Sequence, residues 1–144
     1  MMNRIGDQGL SDMFMFPLKG KIESLSLDVT SNKLHAQAFE NFTYYLASVP
    51  SESLTNFEIL VRGNRIEENG TFAIARTLKR FTKLESLKID TYFNNLKTKG
   101  VKPIALLLRF LPSLKILDLN FDLNYIETEG GKLIGTAIRG LVGL

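Results

Sequence analysis

Residues 114–138 read "LKILDLNFDLNYIETEGGKLIGTAI" and change their period midway. Leu117, Leu119 and Phe121 alternate, as side chains on one face of a strand do, whereas Ile126, Gly130, Ile134 and Ile138 recur every four residues, as one stripe of a helix does. Asn124 stands between the two patterns. A strand, a turn carrying one asparagine and a helix are thus written into twenty-five residues.

The same order of positions occurs three more times. Asn32, Asn64 and Asn94 precede Leu34, Ile66 and Leu96 by two residues, as Asn124 precedes Ile126, and the asparagines lie 32, 30 and 30 residues apart. The alternating trios before them are Leu25, Leu27, Val29; Phe57, Ile59, Val61; and Leu87, Ile89, Thr91. After each asparagine come Ala38, Gly70, Gly100 and Gly130, then Phe42, Ile74, Ile104 and Ile134, then Leu46, Leu78, Leu108 and Ile138. Asn3, Ile5 and Gly9 share this register, which makes residues 1–21 a half unit, a helix without its strand; full units follow at 22–53, 54–83, 84–113 and 114–144.

One strand and one helix cannot shield their own apolar faces, so consecutive units must stack, strand beside strand and helix beside helix. The shared pattern LxxLxLxxxxNx(I/L)xxxG resembles the ribonuclease-inhibitor type of leucine-rich repeat, in the slightly long form common in protists such as ciliates. The resemblance covers the whole chain as a single domain. It implies an α/β solenoid with uncapped ends, in which a curved parallel sheet of four strands lies inside and about five helices lie outside. Asn32, Asn64, Asn94 and Asn124 are expected to tie each turn to the next unit's turn, since an amide carries both donors and an acceptor. Gly70, Gly100 and Gly130 are expected to let neighbouring backbones approach. Ala38 departs from that pattern, and Thr91 is expected to weaken packing at the third strand position.

Composition agrees with a folded domain: 144 residues, 44% apolar and 23% charged. Absence of cysteine removes disulfides, thiolate metal sites and a cysteine nucleophile. The first twenty residues lack the basic start and long apolar run of a secretory signal, so an intracellular, cytoplasmic location is expected, in a cytoskeletal or organellar assembly as one variant, with no membrane partner. The triplets Asn41-Phe-Thr43 and Asn69-Gly-Thr71 read as chance glycosylation sequons. Residues 13–18, "MFMFPL", read as the apolar face of the half unit or as a cover for the first end.

The alternate strand positions must point away from the helices, onto the concave face. They include Asp28, Glu58, Leu60, Arg62, Lys88, Asp90, Tyr92, Ile116, Asp118, Asn120 and Asp122. Five acids against two bases give this face a formal −3, which leaves +6 for the rest of a +3 chain. The expected partner is therefore a protein of basic character docking on Asp28, Glu58, Leu60, Lys88, Asp90, Tyr92, Ile116, Asp118, Asn120 and Asp122, with Leu60, Tyr92 and Ile116 as anchors. The open ends are expected to be covered by further repeats or by neighbouring subunits. On the helix side, Leu106, Phe110, Tyr44 and Tyr45 fall outside the core register. Arg76, Lys79, Arg80 and Lys83 cluster there with Lys97, Lys99 and Lys102. Without an aromatic ladder among these bases, nucleic acid is the less favoured partner.

Nothing points to catalysis, a cofactor or a metal. His35 is the only histidine and reads as an exposed turn residue; Gly130-Gly131-Lys132 lacks the rest of a phosphate loop. Asp90, Asp118 and Asp122 could meet on the sheet, but solvated carboxylates are the simpler reading. The expected function is a non-catalytic interaction or scaffold module. The alternatives are a regulator of a small GTPase, which the resemblance implies through the Ran GTPase-activating family, and nucleic-acid binding through the basic helices.

Overall fold

A computed structural model describes residues 3–16, 20–141 and 144. Its elements alternate along the chain: α1 (Gly6–Met13), β1 (Ser24–Asp28), α2 (Ala38–Ala47), β2 (Asn56–Leu60), α3 (Glu67–Leu78), β3 (Ser86–Asp90), α4 (Lys97–Leu108), β4 (Ile116–Asn120) and α5 (Glu127–Arg139). The strands form one parallel sheet in the order β1-β2-β3-β4, so the protein is α/β. Register follows the repeat without a slip: Leu25, Phe57, Leu87 and Leu117 lie side by side, as do Leu27, Ile59, Ile89 and Leu119. A one-residue slip in any pair would turn that strand's apolar set to solvent, which is why the alternation fixes the pairing. Each helix packs against the helix of the next unit, α1 on α2 through to α4 on α5.

The core lies between this helix layer and one face of the sheet. Phe57, Ile59, Leu87 and Ile89 of the two central strands are buried, together with Phe42, Ile74 and Ile104 of the helices. Leu25, Leu27, Leu117 and Leu119, on the edge strands, are only half-buried because each lacks a neighbour on one side.

The asparagines hold the turns together, but the tie runs backward rather than to the following unit. The Asn64 amide donates to the carbonyls of Val29 (3.0 Å), Val61 (2.8 Å) and Arg62 (3.2 Å), while its Oδ1 accepts from the backbone N–H of Asn32 and of Leu34, both at 3.0 Å. Asn94 repeats this toward Val61 and Ile66, and Asn124 toward Thr91, Asn94 and Leu96. Asn32 receives the Ile5 N–H on Oδ1 and the Gly6 N–H on its carbonyl oxygen, so α1 joins the series by the same contact. This solves a helix problem. Ile66 and Leu96 cap α3 and α4 with apolar side chains that cannot accept a bond, and the following unit's asparagine receives their orphan N–H groups instead.

The turns use left-handed backbone at fixed places: Ser31, Lys33, Phe93, Asn95, Leu123 and Tyr125 beside the asparagines, and Glu67, Lys97 and Glu127 at the helix starts. Only glycine adopts this conformation at no steric cost, and among the described residues of the full units Gly63 is the one glycine that exploits it. Gly70 answers a different need from the one expected. A Cβ there would lie 2.6 Å from the Ile66 Cβ, so the pressure comes from the unit's own preceding apolar residue rather than from a neighbouring backbone. Ala38 stands at the corresponding place in the first full unit, where His35 does not take the left-handed conformation and α2 begins three residues later than α3 does. Thr91 is fully buried at the third strand position, and its hydroxyl donates to the Asn120 carbonyl at 2.9 Å. Of residues 13–18, Phe14 is buried against Phe42 and Tyr45, whereas Met13, Met15 and Phe16 are exposed; residues 17 and 18 lie outside the described set.

Candidate functional site

The sheet face turned away from the helices is open, and its rows can be read across the register. Ser24, Asn56, Ser86 and Ile116 make one row, Ser26, Glu58, Lys88 and Asp118 the next, and Asp28, Leu60, Asp90 and Asn120 the third. The second row is a chain of polar contacts. The Ser26 hydroxyl donates to Glu58 at 2.6 Å, and the Lys88 ammonium lies between Glu58 Oε1 (3.1 Å) and Asp118 Oδ2 (3.7 Å). The Ser26 hydroxyl and then Lys88 hold the Glu58 carboxyl below its ordinary range, and Glu58 in turn raises Lys88. Asp28 is also held low, by hydrogen bonds from Thr30.

Asp90 corrects the expected docking set. It is buried, paired with the Arg62 guanidinium, and accepts from the Tyr92 N–H at 3.1 Å and the Asn120 amide at 3.4 Å. A carboxylate so engaged organises the face and is not free for a partner. Asp90 raises the Arg62 pKa further. The acidity of the face is therefore neutralised at its centre by Arg62 and Lys88, and is presented to solvent at Asp28 on one side and at Asp118 and Asp122 on the other. Tyr92 and Ile116 are exposed; Glu58, Leu60, Lys88 and Asn120 are half-buried. Asp90, Asp118 and Asp122 do not converge, and no group of three metal-ligating side chains occurs among the described residues.

Three exposed side chains missing from the expected set stand where the chain leaves the sheet. Phe93 (56% exposed), Leu123 (58%) and Tyr125 (75%) stand in the turns of the last two units. They were legible. The positions flanking the asparagine hold Ser31, Lys33, Gly63 and Arg65 in the first two units, so large apolar groups there are an exception that the repeat does not require.

The Glu58 shift gives a checkable pH effect. A carboxyl whose folded pKa is depressed contributes stability above its unfolded value and loses it as pH falls through the folded value. In Glu58→Gln the stability deficit against wild type, measured by urea unfolding, should be present at neutral pH and vanish in acid. A deficit independent of pH would assign the effect to packing.

On the helix side, Leu106 and Phe110 are exposed as expected, and so is Tyr44; Tyr45 is not, because Phe14 lies 4.7 Å from its ring and burial raises its phenol. Arg80 is held by the Ala47 carbonyl. His35 is exposed and tethered, its N–H and ring nitrogen both meeting Asp7 of α1, at 2.7 and 3.0 Å. Among the described residues no helix is long and apolar enough to cross a membrane. No protein-family model matches this sequence, and no curated protein matches it.

Proposed function

We propose that the chain is a solenoid of ribonuclease-inhibitor-type leucine-rich repeats, acting inside the cell as a non-catalytic interaction or scaffold module. It displays the open sheet face to a basic protein partner. The observation that carries this reading is that the last two units, which present the acids Asp118 and Asp122 to solvent, also carry three exposed apolar and aromatic side chains in their turns, Phe93, Leu123 and Tyr125. Holding a large side chain in left-handed backbone costs about 1–2 kcal/mol per residue, and Phe93, Leu123 and Tyr125 are all held so. The turns adopt that conformation in every unit, so what marks these places is the large exposed apolar groups they carry, a feature of surfaces used by something else. Aromatic anchors with flanking acids suit a basic, partly apolar segment. The strands and the asparagine-bonded turns that follow them hold both sets, so little ordering remains for the moment of binding. The half-buried edge strands suit stacking against further like-built units or neighbouring subunits.

The test is affinity capture from native extract followed by a binding titration with the recovered protein. The double variants Asp118→Lys/Asp122→Lys and Leu123→Ser/Tyr125→Ser should each weaken binding tenfold or more, about 1.4 kcal/mol, while Arg139→Glu on the exposed side of α5 leaves it unchanged. Equal binding by all variants would remove the open face from consideration.

A further inference from the structure

A second surface lies on the far side of the molecule. Between α3 and α4 runs a groove of about 420 Å³, floored by Phe72, Pro103, Leu106 and Phe110, with Arg76 and Lys79 on one rim and Lys99 and Lys102 on the other. Phe72, Leu106 and Phe110 are 54%, 45% and 52% exposed. The repeat does not call for them. Glu40, Lys102 and Lys132 occupy the position of Phe72 in the other units, Tyr44, Arg76 and Thr136 appear at that of Leu106, and Ser48, Arg80 and Gly140 at that of Phe110. Apart from Tyr44, the other units hold charged or small residues at these places, whereas here three apolar groups line one groove.

The rims are as one-sided as the floor. Four bases face a single acid, Glu68, and none of the four rim bases enters an ion pair among the described residues, in contrast to Lys88 and Arg62 on the sheet. The Arg76 guanidinium instead lies 6.0 Å from the Phe72 ring centroid, part of its charge already turned over the floor. We infer that this groove docks an amphipathic helix of a partner protein, its apolar stripe on Phe72, Leu106 and Phe110 and its acidic flanks against the two basic rims. A helix in a groove needs this layout of apolar floor between charged edges. A nucleic acid needs a continuous basic track, and here the rims are split by side chains that a phosphate backbone would leave wet.

A synthetic helical peptide of about 18 residues, long enough to hold helical turns on a surface, tests this in two forms: leucines spaced by three and four with glutamate flanks, and the same leucines with lysine flanks. In fluorescence anisotropy the glutamate form should bind saturably and the lysine form should not. Leu106→Glu, Phe110→Ser and the double variant Arg76→Glu/Lys102→Glu should each weaken the glutamate form by at least about tenfold. These positions are exposed, so unchanged melting curves will separate lost binding from lost fold. Asp118→Lys/Asp122→Lys should leave peptide binding intact, which keeps the result independent of the sheet-face reading. Equal binding of the two peptides, no saturation of the glutamate form at about 1 mM, or tighter binding of a single-stranded oligonucleotide would each overturn the proposal.

Discussion

Replacing Asn64 with alanine should destabilise the protein by about 3–5 kcal/mol, because a buried network loses both its donor and its acceptor at once. The substitution leaves the N–H groups of Asn32 and Leu34 and the carbonyl of Val29 without the side chain that now bonds them, and all three belong to the preceding unit. Orphaned buried groups of this kind cost about 1–3 kcal/mol each when water cannot reach them. For a chain of this size the melting temperature should fall by roughly 10–15 °C. Asn64→Asp should not rescue it, since a carboxylate keeps the acceptor but faces the carbonyls of Val29, Val61 and Arg62 with no hydrogen to give. A loss under about 1 kcal/mol in urea unfolding would mean that the asparagine is incidental to the stacking.

Phe42→Ala should have a comparable effect for a different reason. The ring is fully buried, with Phe14 5.0 Å away and Phe39 and Phe57 each 6.3 Å away between centroids, so it joins α1, α2 and β2. Truncating such a phenylalanine costs about 3–5 kcal/mol through lost burial and the cavity left behind. Because Phe14 is the buried aromatic anchor that follows α1, that helix should detach at a lower denaturant concentration than the rest of the chain, which a probe on α1 would report as a separate early transition. Tyr44→Ala serves as the control: two positions along the same helix and 76% exposed, it should stay within about 0.5 kcal/mol of wild type. Equal losses at the two positions would remove the aromatic cluster as the cause.

The strands and their register were readable because side-chain alternation is a local property that the sheet must obey; the aligned trios Leu25, Phe57, Leu87 and Leu117 needed nothing beyond counting. What counting could not give was direction and depth. Asn64 carries the same amide whichever neighbour it serves, so its backward reach depends on how the turn folds. Asp90 occupies an outward strand position like Asp118, yet Arg62 from the adjacent strand's exit and Asn120 close over it. Tyr45 lies at the border of its helix's apolar stripe, where Phe14 from outside the helix decides its exposure. Ala38 marked the first full unit as different, but only the structure shows how: α2 starts three residues later than α3 does, and His35 keeps ordinary backbone.

Residue-resolved amide hydrogen exchange on Asn64→Ala under native conditions reads the coupling between units most directly. Protection should collapse at the amides of Asn32 and Leu34, thirty or so residues upstream of the substitution, and persist at Ile89 and Leu119. Loss confined to residues 62–66, with Asn32 and Leu34 still protected, would contradict the backward tie between successive units.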